Sequence, residues 1–227
     1  MPVFRLSDAL IFPSPEFADD DGLLAVGGDL SPARLILAYS QGIFPWFSQG
    51  DPILWWSPAP RLALFPAEFH LPKRLKRTIK SGVFTVTADT AFAEVIAGCA
   101  TASGRVKNGT WITPEMEQAY CRLHELGFAH SIECWRDGQL AGGLYGVGLD
   151  RIFFGESMFT HVTDASKTAL AALAQLALQR GIAMIDCQMT TDHLLRFGTR
   201  EISREEFQAQ LEAHIDDCLP QKKWRLP

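Results

Sequence analysis

The stretch Ile152-Phe153-Phe154-Gly155-Glu156-Ser157-Met158-Phe159 decides the fold. It is β-branched and aromatic, as a buried strand should be, yet a glycine and a carboxylate sit at its centre. A charge inside such a run is costly unless it is paired or has a task. A second run, Met184-Ile185-Asp186-Cys187-Gln188-Met189, repeats the oddity. Side chains alternate along a strand, so Asp186 and Gln188 are expected on one face and Ile185 and Cys187 on the other. Two apolar strands that both carry polar groups point to one buried polar site between them.

Working outward, Val83–Thr87 reads as a strand and Thr90–Cys99 as a helix. A polar loop over 104–109 carries Arg105 and Lys107. Thr113-Pro114-Glu115-Met116 opens a helix that closes at Gly127. Ala129–Trp135 and Gln139–Val147 flank Asp137-Gly138, a hairpin signal, and Gly142-Gly143 and Gly146 in one arm permit close approach of a backbone or a ligand. After the organising strand, Asp164 or Ser166 caps an Ala/Leu-rich helix that leads through Gly181 to the Asp186 strand. The order from residue 83 is β-α-α-β-β-β-α-β, followed by a polar tail with a final helix over Phe207–Ile215.

Residues 1–62 form a distinct compositional zone, and the chain suits either one domain or a main domain with a small annex. This zone is rich in Pro, Gly and Trp. Ser31-Pro32 starts a helix that stops at Gly42, and Phe44-Pro45-Trp46 and Leu54-Trp55-Trp56 suit short strands or a rigid packed loop. Next, Leu71–Lys80 holds five basic residues, Lys73, Arg74, Lys76, Arg77 and Lys80, in a chain whose net charge is −5. On a helix, Leu71, Leu75 and Ile79 would face inward and leave the cations outside. Either an ordinary solvated face or a phosphate-binding patch fits this pattern.

At 227 residues and 47% hydrophobic, the chain can bury a sizeable core. Five cysteines without CxxC spacing suit a reduced cytosolic chain without structural metal. No apolar run has the length of a membrane span, and the N-terminus lacks the pattern of a signal peptide. The six histidines show no metal-ligand spacing, and His124 and His130 are expected at the surface or as caps. Cys187 should point away from Asp186 and has no neighbouring His to activate it, so it reads as core. Asp186 and Gln188 serve either a structural hydrogen-bond network or a functional site. Glu156, set between small residues, either pairs internally or borders open space. The tryptophans suit core packing, though rigid aromatics near a basic patch also suit stacking of a nucleotide end.

The blocks Gly27-Gly28-Asp29-Leu30-Ser31-Pro32, Gly42-Ile43-Phe44-Pro45-Trp46-Phe47, Leu54-Trp55-Trp56-Ser57-Pro58, Gly109-Thr110-Trp111-Ile112-Thr113, Phe154–Phe159, Ala165–Leu170 and Ile185–Gln188 resemble, in order, those of the bacterial leucyl/phenylalanyl-tRNA–protein transferases. The resemblance implies an α+β fold with a small N-terminal domain over 1–62 and a GNAT-like acyltransferase domain over 63–227, whose mixed, mainly antiparallel sheet is flanked by helices. It implies transfer of Leu or Phe, and less readily Met, from aminoacyl-tRNA to proteins beginning with Arg or Lys, which makes an N-degron for proteolysis. A cytoplasmic monomer without cofactor or metal is expected. The resemblance marks Asp186 and Gln188 as catalytic and places Glu156 in the active site. Trp46, Trp111, Phe153, Ser157 and Met158 would bind the aminoacyl-adenosine end, and Lys73, Arg74, Lys76, Arg77 and Lys80 the tRNA. Leu144 stands where the family's amino-acid pocket has a Met, a nearly volume-conserving change that bears on Leu/Phe preference.

An aminoacyl ester is already activated, so attack by an amine needs positioning and oxyanion stabilisation more than a strong base. Gln188 is therefore expected to orient the amine, with Asp186 fixing Gln188 and receiving a proton, and Glu156 is a candidate for recognising the acceptor's cation. A CoA-dependent acetyltransferase would need a Gly-rich turn where Thr160–Ser166 has none. A binding module without catalysis would leave Asp186 and Gln188 idle.

Overall fold

The protein is described here by a computed structural model covering residues 3–102 and 110–226; the loop expected over 104–109 lies outside the described residues. Eleven strands form two sheets among these residues. The smaller has the order β1-β2-β4-β3, from Phe4–Leu6, Leu23–Gly27, Leu54–Trp56 and Phe44–Pro45. The larger has the order β11-β5-β10-β9-β8-β7-β6. Its strands are β5 (Arg61–Leu64), β6 (Thr85–Ala88), β7 (Ala129–Arg136), β8 (Gln139–Leu149), β9 (Ile152–Thr160), β10 (Met184–Asp186) and β11 (Arg200–Ile202). Every neighbouring pair in it is antiparallel except β9 and β10. This is an α+β fold with a mixed, mainly antiparallel sheet.

The helices begin and end where local chemistry directs. Ser31 caps α1 (Pro32–Ser40) by accepting from the Arg34 N–H, with Pro32 at the first helical position. Basic helix α2 spans Lys73–Lys80 and buries Leu75, while its five cationic side chains are exposed. Helix α3 (Phe92–Thr101) packs on one face of the sheet. Thr113 caps α4 (Pro114–Leu126), which ends at Gly127 in the left-handed conformation, as its sequence predicts. Helix α5 (Ala165–Arg180) covers the opposite face and ends at left-handed Gly181. Short α6 (Asp192–Leu195) and α7 (Arg204–His214) complete the set. Two layers of apolar side chains result, one on each face of the large sheet.

The Asp137-Gly138 hairpin forms as read, with both residues at positive φ. Its glycines admit neighbouring protein: a Cβ on Gly146 would stand 2.1 Å from the Phe154 carbonyl oxygen. The polar tail is more ordered than its composition implies. Trp224 is buried, stacks on His130 with centroids 4.2 Å apart, and donates its backbone N–H to Asp89. His130 therefore is not a surface residue. Its Nδ1 lies 2.7 Å from Asp89 Oδ2, inside the core, because the returning tail covers it. His124 is half-buried, stacks on Phe92 and meets the Ala129 carbonyl.

Candidate active site

Strand β9 is bulged at its centre. Gly146 of β8 pairs with Gly155, whereas Tyr145 pairs with Ser157, so Glu156 is the extra residue. A bulge shifts the alternation by one position. Phe154 and Phe159 consequently lie in the same core layer, and Phe153 and Met158 pack with the other. Glu156 is thereby released from the ladder at the one point where a carboxylate could not be packed.

The pairing of β9 with β10 is equally local. Ile152, Phe153 and Phe154 pair with Met184, Ile185 and Asp186, and there β10 stops. The expected strand to Met189 is cut short, because Gln188 adopts a left-handed backbone with φ of 60°. Its position is fixed on both sides: the Gln188 carbonyl accepts from Leu62 N–H, and its own N–H donates to Asp186 Oδ1 at 2.8 Å. Asp186 and Gln188 thus do not project together from one strand face. The turn carries the Gln188 amide to Glu156, where Nε2 donates to Oε1 at 3.0 Å.

Glu156 is held from the other side by Tyr120, whose hydroxyl donates to Oε2 at 2.9 Å, while the Tyr39 and Tyr120 hydroxyls are hydrogen-bonded to each other. Burial first, and then the Glu156 charge, push both tyrosines well above their usual range, so both remain protonated donors. Burial also raises the Glu156 carboxyl to about 7; the nearby Asp186 charge adds to this, and the hydroxyl and amide donors oppose it. A carboxyl group poised near neutrality at the wall of a cavity can both accept and return a proton.

Asp186 is fully buried and does not line that cavity. Burial raises its carboxyl, and the Arg61 guanidinium beside it acts against that rise. Arg61 Nε meets both carboxylate oxygens, Nη2 donates to the Gly42 carbonyl at 2.7 Å, and the guanidinium lies over the Phe44 and Phe207 rings. Sequence reasoning missed Arg61 and both tyrosines. An arginine after Ser57-Pro58-Ala59-Pro60, with a second buried acid elsewhere in the chain, was the available signal for the first. The tyrosines offered none, since each also suits an apolar helix face.

The cavity, of about 320 Å³, lies where β9 runs on beyond the end of β10. Trp46, Trp111, Leu144, Phe153, Glu156, Ser157, Met158 and Gln188 all line it. Leu170, Leu173 and Ile185 extend its apolar wall. Trp46 stays partly exposed at the edge, T-stacked on Trp56 at 5.5 Å, whereas Trp55 is core. Cys187, expected in the core, is half-buried and lines the cavity. Its thiol is pushed far up by burial and by Asp186, so it is no nucleophile. Among the described residues, no group of three or more His, Cys, Asp or Glu is placed to hold a metal ion, and no helix is long and apolar enough to cross a membrane.

Comparison with known proteins agrees along the whole chain. Residues 63–212 match the family model described as leucyl/phenylalanyl-tRNA protein transferase, and residues 28–59 match the model of that family's N-terminal domain. The leucyl/phenylalanyl-tRNA–protein transferase of Syntrophobacter fumaroxidans is 55% identical over 224 residues, covering 99% of this chain and 96% of that one. Its counterpart in Desulfatibacillum aliphaticivorans is 54% identical over 226 residues, covering 100% and 97%. Likeness to solved structures is slight: a ribosomal-protein-alanine N-acetyltransferase from Brucella melitensis gives a TM-score of 0.34 at 20% identity, covering 43% of this chain and 73% of that one. The bulged carboxylate, the amide turned toward it and the aromatic cavity therefore belong to an enzyme that uses aminoacyl-tRNA and protein as substrates, and the chain belongs to the leucyl/phenylalanyl-tRNA–protein transferase family.

Proposed function

We propose that this enzyme transfers Leu or Phe, and Met less well, from the 3′ end of aminoacyl-tRNA to the α-amine of proteins beginning with Arg or Lys, so that the product enters an N-degron route to proteolysis. It acts as a cytoplasmic monomer, where aminoacyl-tRNA is made. The observation that carries the reading is the Glu156–Gln188 pair set against an apolar cavity. Leu144, Phe153 and Met158 receive the amino-acid side chain, and Trp46, Trp111 and Ser157 the terminal adenosine. An apolar pocket separates side chains by only about 1–3 kcal/mol per methylene, which accounts for the tolerance of Met.

In the reaction the acceptor amine, with a pKa of about 7.7–8.0, is partly neutral at cellular pH. It attacks the ester carbonyl; the C–N bond forms, the bond to the ribose oxygen breaks, and one proton passes from nitrogen to that oxygen. Gln188 orients the amine. Glu156 faces the cavity and carries the proton between the two atoms; when ionised, it also attracts the acceptor's cation. Asp186 acts as a positioning residue through the Gln188 backbone, a role its burial and its bond to Arg61 favour over contact with substrate. The five cations of α2 hold the tRNA by its phosphates.

The test is transfer of radiolabelled Leu from Leu-tRNA to two peptides that differ only in starting with Arg or Ala. Transfer to the Arg peptide alone is expected; equal transfer to both would remove the acceptor rule.

A further inference from the structure

A second cleft, of about 350 Å³, lies beside the cavity, and His193 lines both. Its walls come from three helices: Arg74 of α2, Asp164 and Lys167 at the start of α5, and Arg196 just after α6. Three cations thus face one carboxylate. Asp164 is already engaged, because Lys167 Nζ lies 2.8 Å from its Oδ1 and the Thr78 hydroxyl donates to its Oδ2 at 3.3 Å. The Lys167 hydrogen bond accordingly holds Asp164 below its ordinary value. Arg74 and Arg196 are exposed, and among the described residues neither is within ion-pair distance of a carboxylate, although the Arg74 charge acts on Asp164 from farther off. Burial, with Lys167 and Arg196 nearby, lowers His193, so it meets a ligand as a neutral ring.

We infer that this cleft binds the sugar–phosphate backbone of the single-stranded nucleotides 5′ to the aminoacylated adenosine. The inference rests on the reading that the cavity takes the aminoacyl-adenosine. A polynucleotide leaving the cavity past His193 next meets Arg74, Lys167 and Arg196, and Arg74 then leads onto the remaining cations of α2. Two exposed guanidiniums, neither held by a close carboxylate among the described residues, suit phosphodiester oxygens, which they can engage in a bidentate fashion. Asp164 ties α2 to α5 and fixes Lys167 in the wall. The cleft thus converts a general attraction for tRNA into a fixed path for its 3′ strand.

Two non-hydrolysable ligands separate the sites: phenylalanyl-adenosine joined through a 3′-amide, and the same nucleoside carrying two cytidylates on its 5′ side. The trinucleotide is expected to bind the wild type at least about tenfold more tightly than the nucleoside, with the difference shrinking as salt is added. Arg196→Ala should abolish most of that advantage and leave nucleoside binding unchanged, while Arg196→Lys keeps part of it. Asp164→Asn, which tolerates the left-handed backbone at φ 72°, should preserve or increase it. Equal effects of Arg196→Ala on both ligands, or no effect on either, would overturn the inference. So would a rise confined to the KM of the acceptor peptide, which would assign the cleft to the acceptor protein. If the nucleoside fails to bind while the trinucleotide binds in an Arg196-dependent way, the reading of the cavity falls and the cleft stands; if neither binds, both fall.

Discussion

Arg61 Nε lies 3.1 and 3.2 Å from the two carboxylate oxygens of Asp186, and both side chains are sealed from solvent. The pair joins parts of the chain far apart in sequence. Arg61 also binds the Gly42 carbonyl just before the Trp46 segment, and Asp186 binds the backbone of Gln188. One buried ion pair thereby sets both the aromatic edge of the cavity and the amide at its floor.

Removing one member should be costly. Arg61→Met leaves an uncompensated buried carboxylate and is expected to lower stability by about 3–5 kcal/mol. Arg61→Met combined with Asp186→Leu should recover most of that stability without recovering transfer, because the Gln188 N–H then lacks its acceptor. Denaturant unfolding and transfer rates on the three proteins check this; joint recovery of both would contradict the positioning role of Asp186.

The raised Glu156 carboxyl makes stability depend on pH. Its folded value is about 7 against 4.5 when unperturbed, so the folded state binds the proton more tightly. That contribution is fully present below about pH 4.5, declines between 4.5 and 7, and is gone above 7. Glu156→Gln removes it. The stability difference between wild type and Glu156→Gln should therefore shift against the wild type by up to about 3 kcal/mol from pH 4 to pH 8. Unfolding midpoints at the two pH values measure it; a pH-independent difference would mean the carboxyl is not raised.

Neutralising α2 should act on all aminoacyl-tRNAs alike. Replacing Lys76, Arg77 and Lys80 with Ala is expected to weaken binding of Leu-tRNA and Phe-tRNA by the same factor. The slope of log affinity against log salt should fall by about 0.7–0.9 for each phosphate contact removed. Binding titrations at several salt concentrations test this, and an unchanged slope would assign the basic face to solvent.

The C-terminal tail is a clasp on the core. Trp224→Ala removes a buried indole from its stack on His130 and should cost about 3–5 kcal/mol. At a temperature where the variant remains folded, its transfer rate should fall only modestly, since Trp224 does not line the cavity but packs behind Phe153, which does. Melting curves beside transfer assays separate the two effects.

The fold was legible wherever local chemistry fixes it: the Thr113-Pro114 start and Gly127 stop, the Asp137-Gly138 hairpin, and the β9 strand with its anomalous carboxylate. Short strands escaped. Arg61–Leu64 and Arg200–Ile202 are too brief for periodicity and exist only because partners across the sheet complete them. Many of the residues that line the cavity were readable, but Arg61, Tyr39 and Tyr120, which hold Asp186 and Glu156, were not, and neither was the geometry. Alternation predicted a shared face for Asp186 and Gln188, and a left-handed residue, which sequence does not announce in a Gln, separates them. Likewise, the bulge that frees Glu156 follows from a register mismatch between β8 and β9, and neither strand reveals it alone. His130 and Trp224 were misread or passed over because their burial depends on a contact some 90 residues apart in sequence.

The central claim is that transfer takes place between Glu156 and Gln188. Single-turnover transfer of Leu from pre-bound Leu-tRNA to a saturating Arg-initiated peptide tests it most directly, comparing wild type with Gln188→Ala. Loss of the orienting amide is expected to slow the bound reaction by about a hundredfold while leaving Leu-tRNA affinity within a few-fold of wild type. An unchanged single-turnover rate would place the chemistry elsewhere.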